Sequence, residues 1–176
     1  ALIHGVILWI SLEIGYNSGQ FHHGARKDEA LIKSCLQVGL LYESGTNNRA
    51  GKRYGAFGKY CIAFALKNKQ QNITGLYFRS TINDKDQRHF YLKDREGLYP
   101  KYPEANTKKL ILTESIIDAA TLLQQEEITK QHTILSLYGT NGLTEEHTAA
   151  ITELKQLDEI IFFLNGDEAG KAAVKK

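Results

Sequence analysis

The chain has no methionine, one tryptophan, two prolines and two cysteines in 176 residues. Cys35 and Cys61 have no CxxC partner and no histidine at zinc-ligand spacing, so a disulfide scaffold and a structural zinc are both excluded from expectation. The two thiols read instead as buried and free. Both prolines fall in one segment, YPKYPEANT (99–107), which marks it as a connection between lobes. No apolar run approaches the roughly 18 residues that argue a membrane span. The opening ALIHGVILWI also lacks the basic start and small-residue cleavage site of a signal peptide. A soluble, cytoplasmic protein with no membrane partner is expected. The missing initial methionine and the ending AGKAAVKK, a few residues into an expected helix, read as the ends of an excised fragment.

Charge is present in an uneven pattern. The net value of +2 conceals 12 Lys and Arg against 4 Asp and Glu over residues 48–101, and 7 against 12 over residues 102–176. A basic lobe joined to an acidic one suits a protein that holds a polyanion with one part and metal ions against it with the other. A solvated basic hairpin is the alternative.

Along the chain, GYNSGQFHHG (15–24) is rich in turn formers, and DEALIKSCLQVGLL (28–41) reads as a helix. Asp28 is its expected N-cap, Leu31, Cys35 and Val38 its core-facing row, and Gly39 its stop. ESGTNNRAGKRYGAFG (43–58) reads as a polar, glycine-rich loop whose Arg49, Lys52 and Arg53 could close over phosphate. YCIAFAL (60–66), ITGLYFRST (73–81) and RHFYL (88–92) then alternate as an antiparallel meander. Among and after these strands Arg79, Arg88, Lys93, Arg95 and Lys101 are interleaved with aromatic rings, a combination suited to phosphates and bases. For any single ring, a place in the core is the simpler reading. From Lys108 the pattern becomes βαβαβα, with strands expected near 109–113, 133–138 and 159–164 and helices near 115–126, 144–156 and from about 168. The expected division is a basic mixed α+β lobe over residues 1–106 and an α/β domain with a parallel sheet from 107.

If the three late strands are parallel, Glu114, the turn Gly139-Thr140-Asn141-Gly142 and Asp167 emerge at one edge of one sheet. Clustered carboxylates there need a cation, and oxygen ligands favour Mg²⁺ or a similar hard ion. Asp118 sits one turn after Glu114, although Ser115-x-x-Asp118 is also a capping-box variant. Asp167 has an N-cap reading of its own. Glu114 follows the buried run LILT and has no evident capping role, so its carboxylate would be costly there without a partner. The glycine turn can present N–H groups to an anion.

TES-II-D, LYGTNGLTEEH and FLNGDEAGKAA, in this order and spacing, resemble the TOPRIM module of bacterial DnaG-type primases. That module has an E-x-x-x-D segment, a strand ending in a G-T turn, and a D-G-D-x-A-G segment. GKYCIAFALKNKQQNITGLYFRST and HFYLKDREGLYPK resemble the region upstream of it in those primases, and the GYNSGQFHH wording suggests a primase-like protein of a mobile element. The resemblance implies a catalytic lobe that makes short RNA primers on a single-stranded DNA template from nucleoside triphosphates, using Mg²⁺ or Mn²⁺. It implies Glu114, Asp118 and Asp167 as catalytic residues and metal ligands. Asn165 stands where the family has the first Asp of D-G-D, so it would ligate through a neutral amide and weaken the site. Lys59 and Lys101 fall near basic family positions, whereas Cys61 stands where an Arg is usual. A replicative helicase would be contacted through domains absent from this chain. TOPRIM strand cleavage, or a degenerate site kept for single-stranded DNA binding, are the rival readings.

Overall fold

The computed structural model describes residues 2–3, 6–7, 12–20, 28–47, 51–82, 88–139 and 142–173. The chain divides into two compact units, one of residues 1–65 and 75–95, the other of residues 66–74 and 96–176.

The first unit opens with two short antiparallel strands, β1 (Leu2–Ile3) and β2 (Val6–Ile7). Strand β3 (Ile14–Asn17) follows, overlapping the start of the segment rich in turn formers. Helix α1 (Glu29–Gln37) is capped as expected, the Asp28 carboxylate accepting from the Leu31 N–H at 2.9 Å. Its buried row differs from the expected one. Ile32 and Cys35 are buried, while Leu31 and Val38 are 44% and 49% exposed. The helix carries more than one apolar row, and the buried row is the one that meets Leu41 and Ala56 of the following hairpin. That hairpin, β4 (Leu41–Asn47) and β5 (Gly51–Ala56), replaces the expected loop over 43–58. It is largely solvent-exposed, so it lacks the alternating apolar face by which a strand is read from sequence. Arg49 lies outside the described residues, and Lys52 pairs with Glu43 across the hairpin at 2.6 Å.

Strands β6 (Cys61–Lys67), β7 (Ile73–Ser80) and β8 (His89–Tyr91) form the expected meander, and β3 adds antiparallel to β6, giving the order β3-β6-β7-β8. Most rings here are core. Phe78 is 1% exposed and stacks on Phe90 at 5.7 Å, with Phe57 edge-on to both, while Tyr77 is 3% exposed. Both cysteines are buried and free. Burial pushes the thiol of each above its ordinary range.

The second unit is built on β9 (Lys109–Thr113), followed by α2 (Ile116–Leu122), α3 (Glu126–Thr129), β10 (Thr133–Ser136), α4 (Glu145–Thr152), β11 (Glu159–Phe163) and α5 (Glu168–Ala173). The three strands form one parallel sheet in the order β10-β9-β11, as the βαβαβα pattern requires. Central β9 is buried on both faces, which is why it reads as an unbroken apolar run. Leu110 and Leu112 meet Leu135, Leu137, Ala150 and Leu154 on one side, and Ile116, Ala119 and Ala120 are the buried residues of α2.

The helix expected over 115–126 ends at Leu122, and a separate short helix, α3, starts at Glu126. Thr121 bonds back to the Ile117 carbonyl and Gln124 to the Ala120 carbonyl, side-chain competition that helps end α2 early. The outer side of β10 is met by the connection at Tyr99, which bridges Ser136 and is fully buried. No described helix is long and apolar enough to cross a membrane.

Candidate functional site

The three loops leaving β9, β10 and β11 lie at one edge of the sheet, because all three strands run in the same direction. Glu114 is the hub of that edge. Its N–H donates to the Phe163 carbonyl at 3.1 Å, its carbonyl accepts from the Gly139 N–H at 2.9 Å, and its carboxylate Oε2 accepts from the Asn165 N–H at 2.9 Å. Glu114, Gly139 and Asn165 are therefore brought together, as the parallel reading demands. The carboxylate does have a capping task, contrary to expectation: it satisfies the turn after β11, so it has the partner that its position after LILT required.

Asp118 and Asp167 each serve their own helix. The Asp118 carboxylate accepts from the Ser115 hydroxyl at 2.6 Å, while its N–H donates to the same Ser115 oxygen at 3.2 Å. Asp167 Oδ1 accepts from the Gly170 N–H at 2.8 Å, and its carbonyl accepts from the Lys171 N–H at 3.0 Å. Gly170 cannot be larger, since a Cβ there would collide with the Asn165 carbonyl oxygen. The turn over Asn165–Gly170 is thus held from both sides. Asp118 is half-buried, whereas Asn165 and Asp167 are exposed.

The middle loop is held by a residue that the sequence reading passed over. His147 is fully buried at the third position of α4. Its Nδ1 accepts from the Thr144 N–H at 3.3 Å, so the ring proton sits on Nε2, which donates to the Ser136 carbonyl at 2.9 Å. Its ring packs edge-on against Tyr138 at 4.9 Å, fixing the approach to Gly139. The sequence signal was Thr144-x-x-His147, a capping box with histidine in place of Glu or Gln. Gly139 has φ +101°, while Thr140 and Asn141 lie outside the described residues.

The candidate ligands Glu114, Asp118, Asn165 and Asp167 offer oxygen donors, which suit a hard divalent cation. Among the described residues no three of His, Cys, Asp and Glu are grouped to hold an ion.

Of the basic candidates, Lys59, Arg79, Arg88, Lys93 and Arg95 belong to the first unit and Lys101 to the second. Lys59 and Arg95 lie over the rings of Tyr60 and Tyr91, at 4.5 Å and 4.9 Å. Lys101 pairs with Glu104 at 2.6 Å, and this hydrogen bond holds the Glu104 carboxyl below its usual range.

Residues 111–176 match the family described as Toprim-like. Over 174 residues the chain is 26% identical to the DNA primase of Borreliella burgdorferi, spanning 93% of this chain and 32% of that protein. A DNA primase domain from Pseudomonas aeruginosa superposes with a TM-score of 0.67 at 24% identity, covering 94% of this chain and 52% of that one. The chain has the fold of a DnaG-type primase catalytic core. A DnaG primase catalytic domain bound to ssDNA gives a TM-score of 0.65 at 19% identity, covering 93% and 53%. The chain thus spans about a third of the curated relative and about half of the solved cores.

Proposed function

We propose that this chain belongs to a primase of the cytoplasm that makes short RNA primers on single-stranded DNA from nucleoside triphosphates. The observation that carries the reading is the convergence of Glu114, Gly139 and Asn165 at the edge where the three parallel strands end. Open α/β sheets bind ligands at that edge.

Glu114, Asp118 and Asp167, with the amide oxygen of Asn165, would hold Mg²⁺ or Mn²⁺, which when bound neutralises charge on the triphosphate. Glu114 keeps the Asn165 turn in place beside Gly139 at the start of the β10 loop, and the sequence Gly139-Thr140-Asn141 is proposed as the phosphate contact. The basic side chains of the first unit, with Lys101, hold template and triphosphate phosphates. A replicative helicase would be met through other parts of the parent protein. The domain division proposed is a basic lobe over 1–106 and a TOPRIM-like domain from 107.

Ribonucleotide incorporation on a single-stranded template by the full-length parent tests this reading. Templated synthesis supports it. Strand cleavage, or binding without synthesis, overturns it.

A further inference from the structure

Two residues of the turn that enters β6 have positive φ. Gly58 has φ +67° and Tyr60 φ +58°. A bulky residue at positive φ is uncommon, and persists only where its surroundings hold it there. They do so here. The Tyr60 N–H donates to the Asn17 carbonyl at 2.7 Å, and the Tyr60 carbonyl accepts from the Thr81 N–H at 3.0 Å and the Thr81 hydroxyl at 2.7 Å. Asn17 is itself buried, donating through Nδ2 to the Phe57 carbonyl at 2.8 Å and accepting through Oδ1 from the Gly19 N–H at 2.8 Å. Both ends of the turn are thereby fixed to β3, and its far side to the end of β7.

All this fixation does not bury the ring. Tyr60 is 40% exposed, while Phe78 and Tyr77 of the neighbouring strand make the core. Lys59 lies along Gly19, where a Cβ would collide with its methylenes, and its ammonium sits 4.5 Å from the Tyr60 ring centroid. One ring thus carries a cation over it. The topology adds charge around it. Strand β6 begins at Cys61, β7 ends at Ser80, and β8 begins at His89, so Lys59, Arg79 and Arg88 share one end of the sheet with Tyr60. The Ser80 N–H bond to the Arg88 carbonyl at 2.9 Å closes that end.

We propose that Tyr60 is a stacking platform for one base of a single-stranded nucleic acid, with Lys59 and Arg88 holding the phosphates on either side. The inference rests on the proposed single-stranded template and deepens it by naming a base contact. An exposed, conformationally locked ring is suited to stacking because little freedom is lost when a base settles on it, and every base offers a π-face. A duplex keeps its bases stacked on one another and offers none to such a ring.

The test uses the chain itself, with labelled dT₁₂ and an abasic oligomer of equal length, read by fluorescence anisotropy. Tyr60→Ala is expected to weaken dT₁₂ binding roughly 5- to 100-fold while leaving the abasic affinity and the salt slope unchanged, and Tyr60→Phe to restore dT₁₂ binding. Equal losses on the two oligomers, or no loss on dT₁₂, overturn the proposal and leave the primase reading standing. Failure of the unsubstituted chain to bind dT₁₂ overturns both. Independently of whether Tyr60→Ala folds, the Tyr60 ring resonances, assigned by comparison with Tyr60→Phe, should shift upfield with dT₁₂ and stay in place with the abasic oligomer. Unmoved resonances with dT₁₂ also overturn it.

Discussion

In the first unit, charged and aromatic side chains are presented by an antiparallel sheet whose turns bend through positive φ at Gly58, Tyr60 and Asp94. In the second, the loops that follow the three parallel strands leave one edge of the sheet, and a hydrogen bond holds each carboxylate there: Glu114 to the Asn165 N–H, Asp118 to Ser115, Asp167 to the Gly170 N–H. One arrangement depends on local strain being held by neighbours, the other on chain direction. The difference predicts where substitutions act. Around Tyr60, presentation should fail when a partner such as Asn17 or Thr81 is lost. At the rim, a carboxylate can be neutralised with little effect on the fold.

Core truncations give the largest expected effects and show whether the two units are separable. Phe78→Ala should cost about 3–5 kcal/mol and Leu110→Ala about 2–5 kcal/mol, since both side chains are essentially fully buried. Hydrogen exchange should localise the first loss to β6–β8 and the second to β9–β11. Loss of protection throughout from either substitution would mean that the units unfold as one.

Glu114→Gln separates chemistry from scaffold. An amide oxygen can still accept the Asn165 N–H, so urea unfolding should shift by about 1 kcal/mol or less. Primer synthesis by the parent should fall by about 100-fold or more if the charge acts in the reaction. Equal stability with undiminished synthesis would remove Glu114 from the catalytic set.

Asn165→Asp should tighten Mn²⁺ binding by about tenfold in calorimetric titration, because hard-cation affinity rises with ligand charge. Equal affinities would mean that Asn165 does not ligate the ion.

A smaller effect is expected from the basic end of the first unit. Lys59→Gln should lower the slope of log affinity against log salt on dT₁₂ by about 0.7, the share of one phosphate contact on a single strand. Lys101→Gln should lower it less, because Lys101 is already paired with Glu104. Equal slopes for the two variants would erase that distinction.

The smallest effect is alkaline. Burial pushes the Tyr91 hydroxyl up to about 12. A folded-state value above the unfolded one contributes stability that is fully present below pH 10 and is lost as pH rises from about 10 to 12. Tyr91→Phe should flatten that part of the unfolding profile. An unchanged profile would show that Tyr91 contributes nothing to it.

Much of the second unit was legible because a buried parallel strand and an amphipathic helix announce themselves by period. KLILT, TILS and EIIFF fell where the sequence placed strands, and Ser115 and Asp167 cap as their positions allowed. The first unit was legible where strands alternate, as in β6 and β7, and not in the β4–β5 hairpin, whose exposed strands follow no apolar period. The row that α1 buries was also unreadable, because the helix offers more than one and the partner chooses.

The sequence by itself determined the order of elements, the parallel sheet and the edge where Glu114 and Asp167 emerge, since local periodicity and chain direction suffice for these. Only the tertiary structure decided that Glu114 caps the Asn165 turn, that His147 holds the β10 loop, and that Tyr60 is locked outward in positive φ. Each of those depends on a hydrogen bond between residues apart in sequence, 51 positions for Glu114 and Asn165, 11 for His147 and Ser136 and 21 for Tyr60 and Thr81. No local pattern records such a pairing.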